Sequence, residues 1–194
     1  FCFMNNYLIA LGSNIAFGKF SKLGTLKQAL VTMSGLGINV IEVSGWWESR
    51  AFPAGSGSNY VNGVVDASSD LKPDILLNCL KKIEEYFGRE SSKRWGSRTL
   101  DLDLLSCNDL ILPTKDIFMN WMTLPIHLQL KMTPKELILP HPRIQDRLFV
   151  LKPLREVSPN WVHPVLCKKP NEMIMEGVWT HQDSLKALEE SSKL

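Results

Sequence analysis

The chain has 194 residues, 44% hydrophobic and 22% charged, enough for one buried core and too apolar for global disorder. Its 22 basic and 20 acidic residues leave a formal charge of +2, too small for an electrostatic grip on nucleic acid. No apolar run reaches the roughly 18–20 residues that span a bilayer, and Phe1 to Asn6 lacks the features of a signal peptide. Cys2, Cys79, Cys107 and Cys167 stand far apart, with no Cys-x-x-Cys pair. That spacing fits free thiols in a reducing compartment, the cytoplasm, rather than a disulfide frame or a zinc site.

Along the chain, Tyr7 to Leu11 is a short apolar run stopped by Gly12-Ser13-Asn14 and reads as a buried strand entering a loop. Between Ser21 and Ser34, Leu23, Leu26, Ala29, Leu30 and Met33 recur at helical spacing, and Gly35 is a natural stop. Ile38 to Trp47 reads as a second strand, Glu48 to Asn59 as a Gly/Pro/Ser-rich loop, and Tyr60 to Ala67 as a third strand. Asp70 to Arg89 is the clearest helix, with Pro73 in its first turn, Ile75, Leu76, Cys79, Leu80, Ile83 and Phe87 as its stripe, and Gly88 at its end. A loop from Arg89 to Ser97 then leads into a strand at Asp101. The order strand, helix, strand, strand, helix, strand predicts an α+β protein with a ferredoxin-like core. Its helices are expected on one face of a mainly antiparallel sheet. A long insert, a segment from Pro140 to Leu154 and a tail with weak helical periodicity near 184–194 follow.

Chemistry concentrates in Arg94-Trp95-Gly96-Ser97-Arg98-Thr99-Leu100-Asp101-Leu102-Asp103. On a strand, side chains alternate, so Asp101 and Asp103 share one face while Leu100, Leu102 and Leu104 take the other. Two carboxylates this close repel, and a divalent cation relieves the repulsion; Arg94 and Arg98 suit phosphate oxygens. The same pattern also describes an ordinary solvated strand face. Other segments carry the same ambiguity. Gly12-Ser13-Asn14 suits either a tight turn or a close approach of backbone amides to a ligand. Trp46, Trp47, Phe52 and Tyr60, with Asn62, suit either a core or a stacked, edge-read heterocycle. Glu84, between Lys82 and Glu85, has the look of a solvated helix face. His141, between two prolines and followed by Arg143 and Arg147, is either a turn residue or part of a phosphate site. In the absence of a nucleophile–base pattern, phosphoryl-type transfer is the chemistry these groups fit best.

Taken together, these segments resemble the 6-hydroxymethyl-7,8-dihydropterin pyrophosphokinases of folate biosynthesis. The resemblance rests on Arg94 to Leu104, Tyr7 to Asn14, Asn59-Tyr60-Val61-Asn62, Ile83-Glu84 and Pro140 to Leu154, in the family's order across about 7–164. It implies a domain over 4–164, an insert near 115–135, and a C-terminal extension over 165–194. The implied reaction moves the β,γ-pyrophosphoryl group of ATP to the pterin hydroxymethyl oxygen, leaving AMP and the pterin diphosphate. Two Mg²⁺ ions are implied on Asp101 and Asp103, with Arg98 and Arg94 as further catalytic groups. ATP would meet Glu84, Arg89, Arg98, His141 and Arg147; the pterin would meet Ser49, Phe52, Tyr60, Asn62, Trp95 and Phe149. No nucleic-acid or membrane partner is expected, and the chain is expected to be a monomer or weak homodimer. Competing readings are a binding module without turnover and an RNA-binding ferredoxin-like domain. Retention of both aspartates, His141 and the arginines opposes the first. The low net charge and missing RNP pattern oppose the second. The sequence departs from the family at Ser97, where proline is usual, at Glu48 to Pro53, at Arg89 to Lys93, and in the insert from about Lys115 to Lys135. That insert is expected to cover the core or to form a dimer contact.

Overall fold

The computed structural model describes residues 4–51, 57–89, 98–129 and 131–188. Phe52, Arg94, Trp95 and Ser97 therefore lie outside the described residues. Among the described residues six strands form one sheet: β1 (Asn5–Ser13), β2 (Asn39–Val43), β3 (Trp47–Ser49), β4 (Tyr60–Ser69), β5 (Asp101–Cys107) and β6 (Leu185–Ala187). Its order is β5-β1-β4-β3-β6, with β2 also paired to β4, and every pairing is antiparallel. Six helices join them: α1 (Lys22–Gly35), α2 (Pro73–Tyr86), α3 (Lys115–Met122), α4 (Ile126–Gln129), α5 (Leu148–Val157) and α6 (Pro170–Glu176). No described helix is long and apolar enough to cross a membrane.

The local signals set most of these limits. Ser21 caps α1 by accepting from the Gly24 amide at 3.1 Å, and α2 starts on Pro73 with Asp74 in its first turn. The chain leaves α2 through Gly88 at φ +81°, a left-handed turn that glycine adopts without strain. The run from Ile38 to Trp47 is two strands rather than one. Between them, Ser44 donates to its neighbour's carbonyl and accepts the Val64 amide at 3.0 Å, which redirects the chain. Trp46 turns into the core against Gly63, where a Cβ would meet its ring at 2.7 Å.

Alternation along the strands builds two cores. Tyr7, Ile9, Leu11, Val65, Leu102 and Leu104 meet Leu26, Met33, Leu76, Leu80 and Ile83 from α1 and α2. Leu8, Ala10, Val64 and Leu105 meet Val150, Leu151 and Leu154 from α5 and Met173 from α6. Helices thus cover both faces, not one as the sequence suggested. Tyr7 to Leu11 of β1 and Val64 and Val65 of β4 place apolar side chains on both faces at the centre of the sheet, and each face needs a cover. The tail also differs from expectation. Leu185–Ala187 is a strand on the outer edge of β3, because pairing of unsatisfied edge groups outweighs a weak helical pattern.

The insert forms a closed excursion. Leu112 and Leu139 exchange backbone hydrogen bonds of 2.8 and 3.1 Å at its base. Thr114 caps α3, and Phe118 is fully buried with its ring 5.6 Å from the His163 ring. His163 is itself fully buried, its Nδ1 accepting from the Val165 and Leu166 amides at 3.2 and 3.1 Å. Burial holds it neutral, with a pKa lowered to about 4. The unfolded chain takes up this proton at higher pH than the folded one, so acidification from the ordinary histidine value near 6.5 towards 4 erodes stability. Over that window, His163→Gln should flatten the pH dependence of urea-unfolding free energy by up to roughly 1.4 kcal/mol per pH unit. Parallel pH profiles for the two proteins would contradict this assignment.

Candidate active site

Strand register gathers the polar residues on the face covered by α5. Asp101 stands opposite Gly12, Gly12 opposite Asn62, and Asn62 opposite Trp47, so one row crosses four strands. Residues directly opposite in a sheet share a face, and residues two apart along a strand do too. Asp103, Tyr60 and Ser49 therefore join this row. Gly12 forms its floor: a Cβ there would lie 3.6 Å from Asn62 Oδ1, 3.7 Å from the Tyr60 ring and 3.9 Å from Asp101 Cβ. A methyl group would fill the hollow between the amide, the phenol and the carboxylate.

The carboxylates are met by three guanidinium groups. Arg98, three residues before Asp101, donates Nη1 to Asp101 Oδ1, and Arg89 Nη1 lies 3.1 Å from the same oxygen. Arg147, at the start of α5, donates Nη1 to Asp103 Oδ2 at 2.8 Å. The two acids respond differently. Burial, then the neighbouring Asp103, raises Asp101 above the usual carboxylate range against the pull of Arg98 and Arg89. Burial also opposes ionisation of Asp103, but His141 and Arg147 outweigh it and hold that carboxyl low. Close like charges divide in this way when cations are unequally shared.

Glu84 is buried, with 3% of its surface exposed, and not on a solvated face. It accepts the Leu102 amide at 2.7 Å, which satisfies an outward-pointing donor of the edge strand β5, and it pairs with Arg89 Nη1. Burial pushes its pKa up to about 7 despite the cation and the amide. Arg89 thus links the Glu84 and Asp101 carboxylates.

His141 is placed by its own amide, which donates to Leu105 O at 2.7 Å on β5. Its Nδ1 accepts from the Arg143 amide at 3.1 Å, so the neutral ring carries its proton on Nε2. Burial, with Arg147 close by, lowers its pKa to about 4. Arg143 does not join the acid pair; its Nε donates to Asp146 at 2.6 Å. Phe149 lies on the first turn of α5, with its ring centroid 5.9 Å from the Arg147 guanidinium. Asn62 donates to Trp47 O at 3.2 Å and to Ser49 Oγ at 2.9 Å.

The structure therefore brings together Ser49, Tyr60, Asn62, Asp101, Asp103, Arg98, Arg147, His141 and Phe149 around one face, with Arg89 and Glu84 at the β5 edge. The Gly12-Ser13-Asn14 segment does not act as a bare amide cradle. Gly12 and Ser13 belong to β1, and Asn14 clamps the backbone before Asp101: its amide donates to Arg98 O at 3.0 Å and its Oδ1 accepts the Arg98 amide at 2.6 Å. Asn14 was missed from sequence; an Asn closing a strand, able to bond backbone at both side-chain ends, was the available signal. Among the described residues no three acidic, histidine or cysteine side chains cluster as a closed metal cage. Two carboxylates on an open face suit Mg²⁺, which keeps waters and takes substrate phosphates as its remaining ligands.

The model of the 7,8-dihydro-6-hydroxymethylpterin-pyrophosphokinase family matches residues 8–159. A Synechocystis 2-amino-4-hydroxy-6-hydroxymethyldihydropteridine pyrophosphokinase is 35% identical over 158 residues, covering 81% of this chain and 68% of the relative. The Aquifex aeolicus protein of the same name is 28% identical over 174 residues, covering 90% and 93%. Among solved structures, wild-type Plasmodium falciparum HPPK-DHPS with pteroate superposes with a TM-score of 0.65 at 15% identity. That match covers 90% of this chain and 44% of the Plasmodium chain, and it shows the shared fold alone.

Replacing Arg89 tests the edge network. Arg89→Met leaves Glu84 buried without its cation and should destabilise the protein by roughly 3 kcal/mol in urea unfolding. Adding Glu84→Gln should restore most of that loss. A single variant as stable as the parent would remove the network from the account.

Proposed function

The chain belongs to the 7,8-dihydro-6-hydroxymethylpterin-pyrophosphokinase family, and from that premise we propose that it transfers the β,γ-pyrophosphoryl group of ATP to 6-hydroxymethyl-7,8-dihydropterin. AMP and the pterin diphosphate are the products, and the catalytic unit runs over about 4–164. The observation that carries this reading is the pair Asp101 and Asp103 on one open face of β5, each met by an arginine.

Asp101 and Asp103 would hold two Mg²⁺ ions, which would supply charge neutralisation for the triphosphate and the acceptor oxygen. Each of Glu84, Asp101 and Asp103 has a guanidinium partner among Arg89, Arg98 and Arg147. Arg98 and Arg147 can turn from carboxylate to phosphate oxygens without losing a charged partner, and a guanidinium suits both. His141 donates Nε2–H to a phosphate oxygen as a neutral group; its low pKa keeps this donor unchanged through neutral pH. Arg89 and Glu84 hold the nucleotide side of the site through the β5 edge, and Arg94 adds a further cation.

For the pterin, Asn62 and the Ser49 backbone read the polar edge of the heterocycle. Tyr60 and Phe149 line its faces, and Trp95 and Phe52, outside the described residues, take the further pterin contacts that the family resemblance implies. Gly12 leaves the floor open between Asn62 and Asp101, which brings the hydroxymethyl group towards the acid pair. Burial raises the Tyr60 pKa, so its phenol stays neutral beside the ring.

The test is AMP formation from ATP, Mg²⁺ and the pterin. Asp101→Ala and Asp103→Ala should each lower turnover by at least roughly 10²-fold, since this transfer rests on electrostatic stabilisation. Chelation of magnesium should abolish it. Turnover near the parental rate in either variant, or without the metal, would refute the proposed roles.

A further inference from the structure

The two sides of the proposed pterin site come from different layers. Asn62, Ser49 and Tyr60 lie on the sheet, whereas Phe149 lies on α5. A flat ligand held between them is sensitive to the separation of those layers, because aromatic contact falls away within a fraction of an ångström. Besides the apolar packing of the second core, a polar fastening joins the layers between Trp47 and the far end of α5. Glu156 Oε2 accepts from the Gly45 amide at 2.7 Å, and Oε1 accepts from Trp47 Nε1 at 3.0 Å. One turn earlier, Lys152 Nζ stands 5.0 Å from the Trp47 ring centroid.

Phe149, Lys152 and Glu156 follow i, i+3, i+7 spacing and so share one side of α5. The seven-residue step from Phe149 to Glu156 spans roughly 10 Å of helix, which places Glu156 outside contact with a ligand on Phe149. Trp47 in turn passes the constraint to the sheet wall, since its carbonyl accepts from Asn62 Nδ2 at 3.2 Å. Gly45 permits the close approach: a Cβ there would lie 3.1 Å from Glu156 Oε2 and displace the carboxylate.

We propose that Glu156 is a positioning residue for the pterin. Through Gly45 and Trp47 it sets the spacing between the Phe149 wall and the Asn62 wall. This rests on the functional reading above and names a group that touches neither substrate. Both partners of Glu156 are donors, so a carboxylate serves both, whereas a glutamine has only one acceptor oxygen and opposes a donor to the second.

Two variants reach the same contact from opposite sides. Glu156→Gln removes one acceptor, and Gly45→Ala leaves Glu156 intact but pushes it away. Steady-state kinetics should give each a pterin KM raised roughly ten-fold, with ATP KM and kcat within about two-fold of the parent. Calorimetric titration with 6-hydroxymethylpterin in the presence of a non-hydrolysable ATP analogue should show the same weakening. In a Trp47→Phe background, Glu156→Gln should add much less than it does alone. An unchanged pterin KM in Glu156→Gln would overturn the proposal. So would equal rises in both KM values accompanied by a lower melting temperature, the mark of a general structural role. If the parental chain forms no AMP, the functional reading fails; equal pterin affinity of parent and variant in the titration, or no binding by either, then overturns this proposal as well.

Discussion

Two carboxylates on adjacent same-face positions of an edge strand are the constraint around which this molecule is organised. Left alone at that spacing in a half-buried place, one of them would take up a proton. Three arginines counter that, and each comes from a different part of the chain: the end of α2, the turn before β5, and the start of α5. The compensation is uneven. Asp103 is held firmly ionised, while Asp101 remains the more easily protonated acid, shared between Arg89 and Arg98. In the proposed reaction, cations and phosphates would each replace an existing partner of like charge.

The fold serves this arrangement by keeping the two faces of β5 chemically separate. Leu102 and Leu104 enter the core under α1 and α2, and the aspartates emerge on the side of α5. β5 is an edge strand, and its exposed Leu102 amide is closed by Glu84 rather than by another chain. The same carboxylate anchors Arg89, so protection of the edge and compensation of Asp101 are one network. On the other side, α5 brings Arg147 and Phe149 to the site on its first turn and secures its last turn to the strand carrying Trp47.

Much of this was legible from the residues. The Asp-Leu-Asp-Leu alternation gave both the strand and its polar face, and the stripe of α2 gave that helix. Glu84 was misread because Lys82 and Glu85 flank it, yet it falls four residues after Leu80 and three before Phe87, within the apolar stripe. A charge on a buried stripe was the signal. α5 was hidden by Pro153, which usually ends a helix; here it sits inside a short one whose apolar side is held by the second core. The pairing of β6 with β3 and the reach of Glu156 to Gly45 join residues more than a hundred positions apart, and no local period reports such contacts.

Where cations and the triphosphate meet the protein decides whether Asp101 and Asp103 have the roles proposed. The most direct measurement is a crystal structure with Mn²⁺, a non-hydrolysable ATP analogue and 6-hydroxymethylpterin, with the metals located by anomalous scattering. The account requires anomalous peaks liganded by both Asp101 and Asp103, lying between those carboxylates and the phosphates. Peaks bound elsewhere, or aspartates still fully occupied by arginines in the loaded site, would contradict it.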